Sequence, residues 1–414
     1  MQRKEEAARA EDIVIVGAGI AGLATALGLH RKGLRSLVLE SSPALRASGF
    51  AFTTWKNAFR ALDALGVGDK IRKQHLQAQA YVRCNTSHAK LVQELDLLLR
   101  VISSSTGEPV QELVNLLTMP GKRRGASDRH IRYSSKIVSI EEEDGSIKVL
   151  QLADGSVLRA KVVIGCDGIN SVVAKWLGLA TPSYSGRSAV RGLAHYPDGH
   201  GFEPSFLQFV GHGFRAGMMP CNENDIYWFF AWSPSENDKA GADDESTAAA
   251  TKQFVLSKFR GSNMPAEALA VIERSDVLAA PLRFRSPLSL VGASISKGKA
   301  CVAGDALHPM TPDLGQGGCA ALEDGVTLAR CLGEAVLGGA PKGAGTENQR
   351  IQEGLREYAG IRRWRSVDLI ATAYVSGFVQ QSRNAVVSFL RDRFLAGVLA
   401  RRLLKMADYD CGTL

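Results

Sequence analysis

The sequence predicts an α/β fold: a doubly wound parallel sheet, a second mixed sheet interleaved with it, and helices at the C-terminal end. Three stretches predict it. "DIVIVGAGIAGLATALGLHRKGLRSLVLE" stands near the start, "VVIGCDGINS" near the middle, and "AGDALHPMTPDLGQGG" in the last third. Each contains or directly follows a short apolar run, as expected of a parallel strand covered on both faces, and leads into a glycine-containing turn. Between the second and third stretches lie strand-like runs of a different kind, rich in aromatics.

Ile13 to Val16 form the first apolar run, and Gly17-Ala-Gly19-Ile-Ala-Gly22 follows at once. The apolar-rich segment from Ala21 to about Lys32 reads as a helix, with Gly33 as its C′ residue. A second strand, Leu37 to Leu39, ends in Glu40. Each part has a physical task in a Rossmann-like dinucleotide site. Gly17 makes the tight turn, Gly19 lets the backbone approach a pyrophosphate, and Gly22 lets helix and strand pack closely. The helix N-terminus faces the phosphates, and Glu40 can accept hydrogen bonds from ribose hydroxyls. This motif alone does not separate NAD from FAD.

From Lys136 the chain reads as successive strands, with hairpin turns at Asp144-Gly145 and Asp154-Gly155. The last of them, Val162 to Ile164, delivers Gly165-Cys-Asp167-Gly168-Ile-Asn-Ser171. The third stretch is stiff and then bare. A short strand ends in Gly304-Asp305, two prolines fix the next backbone, and glycines at 315, 317 and 318 strip it. A helix follows, with Ala321, Leu322, Val326, Leu328 and Ala329 among its apolar positions. Gly317 and Gly318 leave its N-terminal N–H groups open to a ligand with negative charge. Between these stretches, "FRAGMMP" and "DIYWFFAWS" flank the turn "CNEN". Phe214, Met218, Tyr227, Trp228, Phe229, Phe230 and Trp232 are candidates to line an apolar pocket or to be ordinary sheet core.

Bulk properties exclude several classes. The 414 residues are 45% hydrophobic and 22% charged, an ordinary globular composition. The net charge of +8 comes largely from "GKRRGASDRHIR" and "RDRFLAGVLARRLLK". Aromatics do not alternate with these basic residues, so no nucleic-acid partner is expected. Seven cysteines without a CxxC pair predict reduced thiols and no metal site. The N-terminal stretch has no apolar core of a secretory signal, and no apolar run is long enough to span a bilayer. A cytoplasmic location is the resulting expectation.

Taken together, the three motifs resemble those of the FAD-dependent, aromatic-hydroxylase-type (group A) monooxygenases. The likeness is closest to the plant subgroup similar to salicylate hydroxylase, zeaxanthin epoxidase and the FAD-dependent urate hydroxylase-like proteins. "LRASGFAFTTWKNAFRALDALGV", "SGRSAVRGLAHYPDGHGF", "YAGIRRWRS" and "DYDCGTL" fit it too, so the resemblance covers nearly the whole chain. It implies a discontinuous FAD-binding domain at 1–80, 136–180 and 295–337. It further implies a substrate domain at 81–135 and 181–294, with C-terminal helices at 350–414. Gly17, Gly19 and Gly22 would hold the FAD pyrophosphate and Glu40 the adenosine ribose. Arg46 would lie along the flavin, and Asp167 near the cofactor and the nicotinamide route. Asp305 would bind the ribityl or pyrophosphate region, and Pro309 would lie beside the isoalloxazine. The backbone of Gly315, Gly317 and Gly318 would face its pyrimidine edge.

The chemistry implied is reduction of FAD by NAD(P)H and reaction with dioxygen at flavin C4a. The resulting hydroperoxide would hydroxylate or epoxidise a small aromatic, heteroaromatic or polyene substrate. No acid or base residue is assigned, and His308 is read as a structural loop histidine. Residues 95–130 depart from the family pattern Arg-x-x-Leu-x-x-x-Leu: Leu113 and Leu117 fit it, but Val110 occupies the arginine position. That departure supports the alternative, a non-catalytic or flavin-deficient binding relative. The C-terminal stretch from Asn384 to Asp410 is read as a helix capping the FAD domain, in preference to a peripheral membrane contact.

Overall fold

In a computed structural model of the chain, the residues described are 10–44, 51–85, 100–103, 130–143, 146–211, 213–234, 247–260, 264–338, 345–382, 385–390 and 396–414. The predicted turn at Asp144-Gly145 and the positions Val110, Leu113 and Leu117 lie outside them.

The first sheet runs in the order Ser296–Lys297, Ala300–Val302, Val157–Gly165, Glu11–Val16, Leu37–Leu39, Ile131–Arg132. From Ala300–Val302 to Ile131–Arg132 the pairings are all parallel. Val14 and Ile15 are fully buried because helices cover one face and further chain covers the other. Strands Ile137–Glu143 and Ile147–Leu152 hang on Val157–Gly165 as an antiparallel extension. Asp154 and Gly155 turn the last two, and Gly155 sits at φ +80°. The sheet takes in Ile131–Arg132, ahead of the expected boundary at 136, because Val38 and Leu39 offer these residues a free parallel edge.

The helix Ile20–Arg31 crosses the helix Gly317–Leu337 at very short range. A Cβ on Gly28 would stand 2.6 Å from the Ala329 methyl, and one on Gly325 would stand 2.5 Å from the Ala24 methyl. Small residues at the crossing therefore set the distance between the first and third motifs.

The second sheet runs Asp276–Phe284, Ser183–His195, Asp225–Trp232, Phe214–Pro220, Ser205–Gly211, Ala80–Asn85. Strand alternation sorts its side chains. Phe214, Met218, Trp228, Phe230 and Trp232 point to one face, into a core with Phe254, Val255 and Val271 of the helices Ala248–Lys258 and Ala266–Arg274. Five of the seven pocket candidates are thus core. Tyr227 and Phe229 are half-buried, and Tyr227 packs with Leu193 toward the core of the first sheet.

The 34-residue helix Glu347–Gln380 starts at a capping box between Thr346 and Gln349 and runs along the Gly317–Leu337 helix. Helices Ala385–Leu390 and Ala396–Ala407 follow. A two-stranded ribbon pairs Ala51–Thr54 with Arg100–Ser103, inside the divergent segment.

Candidate active site

Register brings the motifs together. Val16 is the Cα partner of both Leu39 and Gly165, and Gly165 is the partner of Val302. Gly17, Glu40, Asp167 and Asp305 therefore leave the carboxyl ends of four neighbouring strands, the edge where open α/β sheets bind ligands.

The three glycines of the first motif differ in what they do. Gly17 has φ +103°, and a Cβ there would lie 2.4 Å from the Cys166 carbonyl oxygen. A Cβ on Gly22 would lie 2.0 Å from the Gly17 carbonyl oxygen. Both are required by the protein's own backbone. Gly19 has ordinary extended geometry, is exposed, and has nothing within 4 Å of where its Cβ would be. Open space lies above it, at the start of the Ile20–Arg31 helix.

The acids of the edge are held by protein N–H groups. Glu40 Oε2 accepts from the Ala18 N–H at 3.0 Å and Oε1 from the Ser42 N–H at 2.8 Å, tying the glycine turn to the second strand. Asp167 accepts from Ser171 Oγ at 2.5 Å and from the Val172 N–H at 2.7 Å, capping the short helix Val172–Trp176. Burial still pushes its carboxyl above the usual range, against these hydrogen bonds. Asp305 differs: its side chain is solvent-accessible although protein surrounds it at depth, so it lines a cleft. Burial raises its pKa, and the nearby His308 and Arg191 oppose that rise.

Behind the third motif lies a buried ionic network. His308 Nε2 meets Asp324 Oδ2 at 2.7 Å, and the same oxygen accepts the Gly304 N–H at 2.7 Å. Arg362, on the long C-terminal helix, donates to Asp324 at 2.5 Å and to Glu323 at 2.7 Å. Arg365 donates to Glu323 Oε1 at 2.7 Å, and Asn57 Nδ2 bonds both Glu323 and Gln316. Burial pushes the Asp324 carboxyl up, but the charges of His308 and Arg362 outweigh it and bring the pKa to about 2. His308 is thus held through Nε2 at zero exposure, while its Nδ1 is buried without a hydrogen-bond partner among the described residues.

Beyond it, the 3₁₀ turn Pro312–Leu314 ends at Gly315 with φ +61°, where a Cβ would stand 3.0 Å from Thr53 Oγ1. The helix then begins, with Gly317 and Gly318 in its first turn and partly accessible. A Cβ on Gly317 would meet nothing. Among the described residues, Thr311 Oγ1, Gln316 Nε2 and Trp55 Nε1 are buried around this loop without a hydrogen-bond partner.

Opposite stands the inner face of the second sheet. Arg191 reaches electrostatically to both Asp305 and Tyr227. Phe229 stacks on Phe206, with the Arg215 guanidinium 5.1 Å from its ring centre. Arg187 makes a two-pronged contact with Asp313 at 2.9 and 2.8 Å, which pins the proline-rich loop to this sheet.

Gly17, Gly19, Gly22, Glu40, Asp167, Asp305, Pro309, Gly315, Gly317 and Gly318 therefore share the sheet edge and the loop beside it, while Arg46 lies outside the described residues. Arg191, Gln316, Glu323, Asp324 and Arg362 were not foreseen. A signal existed for three of them: "LEDG" inserts two charges into an apolar helix, and buried charges need partners, here the arginine of "GIRRWRS".

Comparison with known proteins agrees with this geometry. Residues 10–344 match the FAD binding domain family. Monooxygenase 2 of Arabidopsis thaliana is 47% identical over 411 residues, covering 97% of this chain and 98% of that protein. The chain belongs to the group A FAD-dependent monooxygenases. Among other members, Monooxygenase 1 of the same plant is 35% identical, covering 97% of this chain and 99% of its own. Klebsiella pneumoniae HpxO, solved with FAD and uric acid, shares the monooxygenase fold with a TM-score of 0.76 at 21% identity. That match covers 97% of this chain and 98% of HpxO. As an FAD-dependent monooxygenase of this family, the chain has FAD as its cofactor, and use of NAD(P)H is typical of its relatives. No helix among the described residues is long and apolar enough to cross a membrane.

Proposed function

We propose that this monooxygenase uses NAD(P)H and dioxygen to oxygenate a small aromatic or heteroaromatic compound bound between the 303–318 loop and the inner face of the second sheet. The observation that carries the reading is the facing of two unlike walls. One is a polar edge with open backbone at Gly19 and Gly317, and the other is the half-buried row Arg191, Tyr227, Phe229.

The residues fit FAD. Open space over Gly19 suits a pyrophosphate, whose charge the helix N-terminus favours. The orphaned donors Gln316 Nε2 and Thr311 Oγ1 suit a ring edge bearing carbonyl acceptors. When bound, FAD supplies the redox chemistry, taking electrons from NAD(P)H and activating dioxygen for transfer of one oxygen atom.

The chain's own residues do the rest. The turn made by Gly17, Gly19 and Gly22 would hold the pyrophosphate, Gly19 being the open position, with Glu40 fixing the turn and placed to reach the ribose. Asp305 lines the cleft toward the ribityl chain, and Asp167 fixes the turn next to it. Pro309 would border the ring, while the backbone of Gly315, Gly317 and Gly318 would face its pyrimidine edge and favour negative charge there. Arg46 is proposed to lie along the flavin. Tyr227, Phe229 and Arg191 orient the substrate and exclude water.

The test begins with the absorption spectrum of the purified protein and anaerobic addition of NADPH and of NADH. Flavin bands that bleach, followed by label from dioxygen in the product, support the reading. A protein that stays colourless with added FAD overturns it in favour of a flavin-deficient binding relative. Reduction with peroxide as the sole oxygen product under every aromatic tried overturns oxygen transfer.

A further inference from the structure

Gln316 stands between two bare positions, Gly315 and Gly317, yet its own side chain is buried, at 1% exposure. Its Oε1 accepts from Asn57 Nδ2 at 2.8 Å, while its Nε2 has no hydrogen-bond partner among the described residues. A buried N–H donor is costly to leave unpaired, so an amide lodged in this way requires two things. Something must fix which end faces inward, and something must meet the other end.

The first requirement is met inside the protein. Asn57 is fully buried in the first turn of the helix Lys56–Ala64, and its Nδ2 also donates to Glu323 Oε1 at 2.6 Å. An amide nitrogen carries two hydrogens, so both are used. Burial opposes charge on Glu323, but Arg362 and Arg365, each at 2.7 Å, outweigh it and hold the carboxyl below its usual range. A carboxylate only accepts. Asn57 must therefore turn Nδ2 toward it, because Oδ1 in that place would set two oxygens 2.6 Å apart. The same Nδ2 faces Gln316, which must answer with Oε1. Nε2 is thereby turned away from the network.

The second requirement points to a ligand. Gln316 Nε2 shares its loop with two more buried donors that lack partners among the described residues, Thr311 Oγ1 and Trp55 Nε1. A Cβ on Gly315 would stand 3.4 Å from Trp55 Nε1, so the Trp55 donor also lies against the bare part of the loop.

We propose that Asn57 is a positioning residue for the flavin: oriented by Glu323, it holds the Gln316 amide so that Nε2 donates to a carbonyl at the ring edge. The proposal rests on the FAD site described under the proposed function. A charge buried beneath the loop then reaches the ring as the fixed orientation of an amide.

The experiment is a double-mutant cycle on the full-length chain. It combines Asn57→Leu, which keeps the shape and removes both donors, with Gln316→Met. Each protein is read for FAD affinity by fluorescence titration, for the reduction potential of the bound flavin, and for apoprotein melting. Gln316→Met is expected to weaken FAD binding about tenfold. A lost donor hurts the more negative reduced ring most, by about a further tenfold, which lowers the two-electron potential by about 30 mV. Asn57→Leu should do the same in the native background and add nothing to either quantity beside Gln316→Met. Its cost in apoprotein melting should appear in both backgrounds. Should Asn57→Leu fail to fold, Asn57→Asp replaces it. An acid there can give one hydrogen to Glu323 and can only accept from Gln316, which turns Nε2 inward. Native affinity and potential in Gln316→Met overturn the proposal. So does an Asn57 effect on both that persists beside Gln316→Met, which would make Asn57 a packing residue alone. A native chain that takes up no FAD is a separate failure, of the site itself, and removes this proposal with it.

Discussion

The carboxyl edge of the first sheet and the inner face of the second meet across one cleft but are built differently. The edge is made of backbone. Gly17 and Gly22 are held by contacts with neighbouring main chain, Glu40 and Asp167 accept protein N–H groups, and Asp324 ties the Gly304 N–H to Arg362. The inner face is made of side chains on alternating strand positions, where Tyr227 and Phe229 differ from Trp228 and Phe230 only in direction. An edge of that kind tolerates little change and suits a constant cofactor. A face of that kind can be rewritten one side chain at a time without disturbing the other side of its own sheet.

The comparison can be broken at its strongest point first. Arg362→Ala removes the one guanidinium that buried Asp324 and Glu323 share, leaving them His308 and Arg365, and is expected to cost about 3–5 kcal/mol. Denaturant melting of the apoprotein should show it, and a loss below about 1 kcal/mol would remove the network from the account of the edge.

The two faces of one strand give the next test. Phe230→Ala, at a site of zero exposure, should destabilise by about 3–5 kcal/mol. Phe229→Ala should cost about 1–2 kcal/mol because the ring is only half-buried, and it should raise KM for substrate while leaving FAD affinity unchanged. Equal stability losses with unchanged KM would erase the distinction between the faces.

Within the edge, Gly22→Ala should destabilise the apoprotein by about 1–3 kcal/mol through its clash with the Gly17 carbonyl. Gly19→Val has room and should move apoprotein stability by about 0.5 kcal/mol or less, yet weaken FAD binding about tenfold or more. Fluorescence titration of FAD beside thermal melts of the apoprotein separates the two. Tight FAD binding by Gly19→Val would move the pyrophosphate elsewhere.

A last test is in acid. The Asp324 pKa is depressed in the folded state, to about 2. Its stabilisation is therefore present above the unfolded value of about 3.9 and is lost as the pH falls through about 2. Urea midpoints between pH 5 and pH 2 should fall more steeply for the native chain than for Asp324→Asn.

Legibility followed the same division. The strands, turns and helix starts of the three motifs were readable because apolar runs and glycines act locally. Arg191 was not, since nothing in "SAVRGL" distinguishes an arginine aimed at Asp305 from one in solvent. The aromatic runs could be recognised as strands, but not which alternate set faced the cleft. The exposure of Trp364 and Phe378 on the long helix had no local signature either, because both resemble core residues until the packing of the helix is known.

By itself, then, the sequence determined the backbone-built part of this protein. Turns that demand glycine, strands covered on both faces and an acid at a strand end follow from constraints between near neighbours. Only the tertiary structure decided which face of the second sheet meets the cleft, which charges are buried together, and which side of the C-terminal helices stays outside. Those depend on partners such as Asp324 and Arg362, or Arg187 and Asp313, that lie far apart in the chain and are joined only when the layers pack.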